Sequence, residues 1–269
     1  MIAELRYTNT NTYLIRGKRT SLLFDTGWAG TLPAFFRALG EAKLTVQEIG
    51  LIVISHFHPD HMGIAQEIAD AGAQVVILDV QRDFVHASDG ILLREDKGFK
   101  PIDDSRLTVI SESESGRFLA SHGFSGELIH TPGHSDDSIS LWLKKERALF
   151  VGDLNPLYEL EMHKGTQIGE SWEKLLALKP KTVYYGHAGA AKVDKGVWAL
   201  IKRPNSTATD IHAQVKAITR LIDKGCPVDE IQRRTGADAV FVQDVTRMYL
   251  THPGVSVQGI LDRIEIKGR

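Results

Sequence analysis

The sequence predicts an α/β domain followed by a small all-helical module. Three observations carry this expectation. Over the first 200 residues, short β-rich apolar runs alternate with stretches whose apolar residues recur at helical spacing. A composition shift follows at Lys202–Asp210, which reads KRPNSTATD and has the proline, asparagine and hydroxyl content of a linker. Beyond it the apolar spacing is purely helical. We therefore expect a domain over residues 1–203 and a helical module over 204–269. At 269 residues, 42% hydrophobic and 25% charged, the chain can bury a core, which excludes disordered, coiled-coil and collagen-like classes.

Taken in order, Thr12–Ile15 and Ser21–Phe24 read as strands joined by the turn Gly17-Lys18-Arg19. Thr31–Leu44 reads as an amphipathic helix, Leu51–Ser55 as a fully apolar strand, Met62–Ala71 as a helix and Gln74–Leu78 as a strand. The acidic and serine cluster Ser111–Ser115 reads as a turn. Strands are expected again at Glu127–His130, Ser138–Leu143, Ala148–Val151 and Thr182–Tyr185, with a helix at Glu170–Leu178. In the C-terminal module, Ile211, Val215, Ile218 and Ile222 share one helical face, and Asp229–Arg234 and Phe241–Leu250 continue in that style.

Chemistry concentrates in Ser55-His56-Phe57-His58-Pro59-Asp60-His61, directly after an apolar strand. Four candidate metal ligands fall within six positions. An extended segment lets His56 and His58 face one side, where a helix would splay them. Imidazole and carboxylate suit Zn, Fe or Mn, and the lack of thiolates argues against a structural zinc knot. Three later residues fit the same picture. His134 in Thr131-Pro132-Gly133-His134, Asp153 after Val151-Gly152, and His187 after Tyr185-Gly186 each follow a short apolar run, where α/β scaffolds gather functional groups. No G-x-S-x-G and no Walker-type phosphate loop competes.

His56-x-His58-x-Asp60-His61 followed by His134, Asp153 and His187 resembles the metal signature of the metallo-β-lactamase-fold hydrolases. The resemblance covers roughly residues 1–200. It implies an αββα sandwich, two packed β-sheets with helices outside and a dinuclear site at one edge. It also implies that His56, His58 and His134 hold one metal, that Asp60, His61 and His187 hold a second, and that Asp153 bridges. The cofactors expected are two divalent ions, zinc first, with Fe or Mn compatible. Asp25, in Phe24-Asp25-Thr26-Gly27, would orient a ligand without binding metal. Two cations about 3.5–4 Å apart can share a hydroxide whose pKa approaches neutrality, so no seryl or cysteinyl nucleophile is required. Asp60 would be both ligand and catalytic group, accepting a hydrogen bond from the nucleophile.

The departures narrow the choice within the family. His58 stands where the diiron oxygen-reducing branch carries glutamate, and Asp153 where many secreted β-lactamases carry cysteine. The segment Asp153-Leu154-Asn155-Pro156-Leu157-Tyr158 lacks the Gly-Arg pairs of glutathione-linked members. Tyr158 could reach a substrate oxygen, although a core or rim aromatic is the plainer reading. The remaining histidines, His163 included, are read as structural or solvated.

The expected activity is hydrolysis of an ester, thioester or lactone of a small molecule. One alternative keeps the metal site for phosphodiesters of nucleotides or nucleic acid. A second makes the chain a metal-containing regulator whose helical module binds DNA. Residues 202–269 carry 11 basic and 8 acidic residues, so nucleic acid is not the expected partner. The module is expected instead to pack beside the site mouth, narrow substrate choice or mediate a homodimer contact. A single cysteine, Cys226, no apolar run of membrane-spanning length and no leader-like pattern in Met1–Thr12 point to a cytoplasmic chain with no membrane partner.

Overall fold

The computed structural model describes residues 1–95, 98–160, 162–163, 165–193, 208–251, 257 and 259–261. The chain divides into two compact units, Met1–Asp153 with Tyr185–His187, and Leu154–Tyr184 with Ala188–Arg269. The helices after residue 208 thus group with residues 154–184.

The first unit holds a six-stranded sheet in the order β1 (Ile2–Leu5), β2 (Thr12–Arg16), β3 (Ser21–Phe24), β4 (Ile49–Val53), β5 (Gln74–Leu78) and β6 (Leu107–Ile110). β1, β2 and β3 are antiparallel neighbours, and from β3 to β6 the pairing is parallel. β3, Ser-Leu-Leu-Phe, is wholly buried, as a strand covered on both faces must be. On one face Leu23, Ile52, Val75 and Ile77 pack with Phe35 and Leu39 of α1 (Leu32–Glu41) and Ile68 of a later helix. On the other, Tyr13 and Phe24 meet Phe150, with ring centroids 5.2 and 5.8 Å apart. Phe150 ends β9 (Ala148–Phe150), which with β7 (Gly126–His130) and β8 (Ile139–Leu143) forms an antiparallel second sheet. A ring contact between β2/β3 and β9 thus joins the two sheets face to face.

Three local expectations need correction. The cluster Ser111–Ser115 is no turn. It opens the helix α5 (Glu112–Ser121), with Ser111 at the cap and the Glu114 carboxylate accepting from both the Ser111 N–H and hydroxyl; this is a capping box. The helix expected over Met62–Ala71 is two short ones, α2 (Pro59–Met62) and α3 (Ala65–Asp70). The break falls at Gly63, whose N–H leaves the helix to donate to Gly27 O at 2.8 Å. The helix expected over Thr31–Leu44 stops at Glu41, because Lys43 takes a left-handed φ of 56°. α4 (Asp89–Glu95) and the strand β1 carried too little apolar periodicity to be read.

In the second unit, α6 (Gln167–Leu176) buries Trp172, whose indole N–H donates to Asn155 O at 2.8 Å. The short strands β10 (Thr182–Tyr184) and β11 (Ala191–Lys192) pair antiparallel. Three helices follow: α7 (Ala208–Asp223), α8 (Val228–Thr235) and α9 (Ala239–Thr251). Their apolar faces meet in a separate core of Val215, Ile218, Ile231, Phe241, Val242 and Val245. Gly236, at φ 65°, ends α8 in the left-handed conformation that glycine adopts without cost. Residues 202–207 of the expected linker lie outside the described residues. No described helix is long and apolar enough to cross a membrane.

Candidate metal centre

Each potential ligand sits in a segment that follows a strand. The backbone leaves β4 at Val53, bends at Ser55 and His56, is extended at His58, and turns into α2, which carries Asp60 and His61. His134 follows β7, Asp153 follows β9, and His187 follows β10. All seven side chains belong to the first unit. Gly152 and Gly186 make the convergence feasible. Gly152 has a φ of 55°, and a Cβ there would lie 2.6 Å from Ser55 Oγ. A Cβ on Gly186 would strike Asp153 Oδ1 and lie 2.9 Å from His61 Cε1.

The side chains gather in three sets, each with ligand atoms within 4.8 Å of one another: His56, His58 and His134; Asp60, His61 and His187; and His56, His61 and Asp153. His58 Nδ1 lies 2.9 Å from His56 Nε2 and 3.1 Å from His134 Nε2. His187 Nε2 lies 2.9 Å from Asp60 Oδ2 and 3.3 Å from Asp153 Oδ2. Asp153 Oδ2 also lies 3.6 Å from His134 Nε2, so its carboxylate stands between the first two sets.

Hydrogen bonds behind the site orient the rings. Asp25, fully buried at a left-handed φ of 63°, accepts from the Ser55 N–H at 2.7 Å and the Ser55 hydroxyl at 3.0 Å. Its Oδ2 accepts from His61 Nδ1 at 2.9 Å. Because Ser55 Oγ donates to Asp25, it accepts from His56 Nδ1 at 3.0 Å. His187 Nδ1 donates to Asn9 O at 3.0 Å. These partners place the ring protons on Nδ1 and leave Nε2 of His56, His61 and His187 directed into the cluster.

Sequence reasoning missed several of the groups that hold this arrangement. Thr10, fully buried, donates its hydroxyl to Asp60 Oδ2 at 3.1 Å. Asp137 Oδ2 accepts from the Phe57 N–H at 2.7 Å, and Gln81 Nε2 donates to Ile54 O and Asp137 O, both at 3.1 Å. All are ordinary polar residues distant in sequence from the ligands. The only trace of their role was a Thr/Asn-rich loop at Thr8–Thr12.

Charge in the cluster is divided. Burial holds His56 and His134 below the usual imidazole range, and so neutral. Burial alone would raise both aspartates. For Asp153, His61 and His187 outweigh it and hold the carboxyl well below its usual range. For Asp60, His187 and His61 do the same to a smaller extent. Burial opposes charge on His61 and His187 too, but the carboxylates win: Asp153 and Asp25 push His61 well up, and Asp153 and Asp60 push His187 to about 10. Two atoms of the cluster remain unsatisfied. His61 Nε2 and Asp153 Oδ1 are buried, 3.3 Å apart, and neither forms a hydrogen bond. Buried polar atoms are rarely left so. A borderline cation accepting imidazole nitrogen and carboxylate oxygen satisfies both, so the donor set fits a divalent metal.

A profile of the metallo-beta-lactamase superfamily matches residues 5–187. The chain belongs to this superfamily. A Caenorhabditis elegans protein described as a beta-lactamase-like protein 2 homolog is 31% identical over 206 residues, covering 72% of this chain and 62% of its own length. An Aspergillus fumigatus protein described as an atrochrysone carboxyl ACP thioesterase is 30% identical over 150 residues, covering 54% of this chain and 29% of its own. The chain spans less than two thirds of the length of these curated relatives. A solved metallo-beta-lactamase family protein from Thermus thermophilus superposes with a TM-score of 0.57 at 19% identity, covering 99% of this chain and 94% of that one. That likeness shows the metallo-beta-lactamase fold, and superfamily membership implies divalent metal at the cluster.

Around the cluster, a cleft of about 370 Å³ opens beside His58 and His134, walled by Phe84, Ala87, Gly133 and Asp136. Tyr158 lies in the second unit. Its ring packs on Phe241 at 4.6 Å between centroids, and its hydroxyl donates to Asp244 at 2.9 Å. His86 bridges Asp89 and Asp104, His122 bonds Phe118 O, and His130 bonds Asp136 O. The side chain of His212 and the whole of His252 lie outside the described residues.

Proposed function

We propose that the chain is a hydrolase whose centre holds two divalent cations and cleaves an ester, thioester or lactone of a small molecule. His56, His58 and His134 would hold one cation, Asp60, His61 and His187 the other, and Asp153 would bridge. The observation that carries this reading is the pair of three-ligand sets flanking one carboxylate, with His61 Nε2 and Asp153 Oδ1 buried and unsatisfied. Zinc is the first choice of metal, because the set has imidazole and carboxylate but no thiolate. Carbonyl substrates are favoured over phosphodiesters by the thioesterase among the relatives and by the cleft wall beside His58 and His134, where the acid Asp136 stands without a lysine or arginine among the described residues.

When bound, divalent cations lower the pKa of water and polarise a substrate carbonyl. The chain's own residues supply the rest. Asp60, ionised and held by the Thr10 hydroxyl, accepts the hydrogen bond of the attacking water. Asp25 keeps the His61 proton on Nδ1, and Asn9 does the same for His187. Phe84 and Ala87 give the substrate an apolar wall.

The test is metal analysis followed by a hydrolysis panel on protein reconstituted separately with Zn²⁺, Mn²⁺ and Fe²⁺. Two ions per chain and rapid turnover of a lactone, thioester or simple ester are expected. One ion per chain would remove the dinuclear reading. A dominant rate on an aryl phosphodiester would transfer the site to phosphodiester chemistry.

A further inference from the structure

The turn Gly17-Lys18-Arg19 joins β2 to β3 at the end of β3 remote from Asp25, so the metal-centre chemistry does not use it. It nevertheless forms one wall of a cleft of about 560 Å³, within the range of small-molecule sites. The opposite wall is the turn between α5 and β7, at Gly123 and Phe124. Glycine at 123 permits the approach, since a Cβ there would lie 3.3 Å from the backbone nitrogens of both Lys18 and Arg19.

The lining combines positive charge with an apolar floor. Lys18, Arg19 and Lys145 line the cleft and are exposed, against one acid, Glu146. Arg16, also in the lining, is occupied by Glu48 at 2.9 Å, and Arg19 uses one Nη on Ser121 O at 2.7 Å. Lys18 and Lys145 have no acidic partner among the described residues, and the N–H groups of Lys18 and Arg19 form no hydrogen bond there. Buried Phe124 and Leu143 form the floor. The chain as a whole has a net charge of −2, so this positive cleft does not follow from overall composition.

We propose that this cleft is a second binding site, for a small phosphorylated metabolite. Two lysines, the remaining guanidinium N–H groups of Arg19 and two adjacent backbone N–H groups suit phosphate oxygens. Phe124 and Leu143 take the uncharged body. A cleft of about 560 Å³ matches a compact ligand better than a polymer.

ADP, inorganic pyrophosphate and adenosine serve as probes, titrated into the zinc-loaded full chain and followed by amide chemical shifts. ADP is expected to shift Lys18, Arg19 and Gly123 saturably, pyrophosphate to shift the same amides more weakly, and adenosine to leave them in place. Raised salt should weaken the response. The double variant Lys18→Glu/Lys145→Glu should lose at least roughly tenfold in ADP affinity while ester turnover at the metal centre is unchanged. Both side chains are exposed and unpaired, so this variant should fold. The proposal is overturned if neither ADP nor pyrophosphate gives saturable shifts at millimolar concentration. It is equally overturned if shifts are confined to His56–His61, or if the charge-reversed variant binds ADP as well as the original chain.

Discussion

Asp25 can be tested with little disturbance of the backbone. It sits at a φ of 63°, a conformation that asparagine tolerates and alanine does not. Asp25→Asn therefore keeps the turn but removes one of the acceptors that serve Ser55 N, Ser55 Oγ and His61 Nδ1. Metal affinity should fall by roughly 10–100-fold, measured by competition with a chromophoric chelator; unchanged affinity would deny Asp25 its orienting role. His187 gives a pH test. In the metal-free protein its pKa is raised to about 10 from an ordinary 6.5. The stabilisation it contributes is then complete below pH 6.5 and disappears as pH rises through 10. Metal must displace that proton, so affinity should rise with pH between 7 and 9, with proton release visible by calorimetry in buffers of different ionisation enthalpy. An affinity independent of pH over that interval would contradict this. The potential ligands were legible because five of the seven are histidines, each in a segment that follows a strand, and four of the seven fall in one short run. Thr10 and Asp137 were not, because their partners lie 50 and 80 residues away, and pairing at that range leaves no local pattern.

Among the elements, α5 has a structural task that its composition conceals. Ser115 is fully buried, accepts from the Leu128 N–H at 3.1 Å and donates its one proton to Glu112 O at 2.7 Å, with Leu128 O 3.1 Å away, while the Glu112 carboxylate accepts from the His130 N–H. The Leu128 and His130 backbone groups belong to β7, so the helix closes polar groups that strand pairing leaves open. Ser115→Val would leave the Leu128 N–H buried without a partner and should cost about 1–3 kcal/mol, read from urea unfolding of the metal-loaded protein. A loss below a few tenths would mean that water replaces the serine. Why Ser111–Ser115 looked like a turn is now physical. A helix N-terminus and a turn both favour Ser, and the bonding of Glu114 back to Ser111 marks this one as a helix start. The strands β3, β4 and β5 were readable because burial on both faces forces continuous apolar runs. β1 was not, because its half-buried Ile-Ala-Glu-Leu gains its conformation from pairing with β2.

At the scale of the whole molecule, the ligands and the helical module fall in different compact units. All seven proposed metal ligands lie in the unit of Met1–Asp153 and Tyr185–His187, whereas the Val215, Ile231 and Phe241 core lies in the other. Two units with separate cores need not unfold as one. Metal that binds only the folded first unit stabilises that unit by mass action, by about 2.7 kcal/mol at free metal 100 times Kd. Chelation should therefore lower one calorimetric transition by roughly 5–10 °C, at about 2–4 °C per kcal/mol for a unit of this size. A second transition, from the unit containing the helical core, should stay in place. The assignment follows from Phe241→Ala, which empties the helical core and should lower only the transition that chelation leaves unmoved, by an amount set by about 3–5 kcal/mol. If chelator and Phe241→Ala moved the same single transition, the two units would fold as one cooperative body, and metal at the strand ends would stabilise the helical module as well.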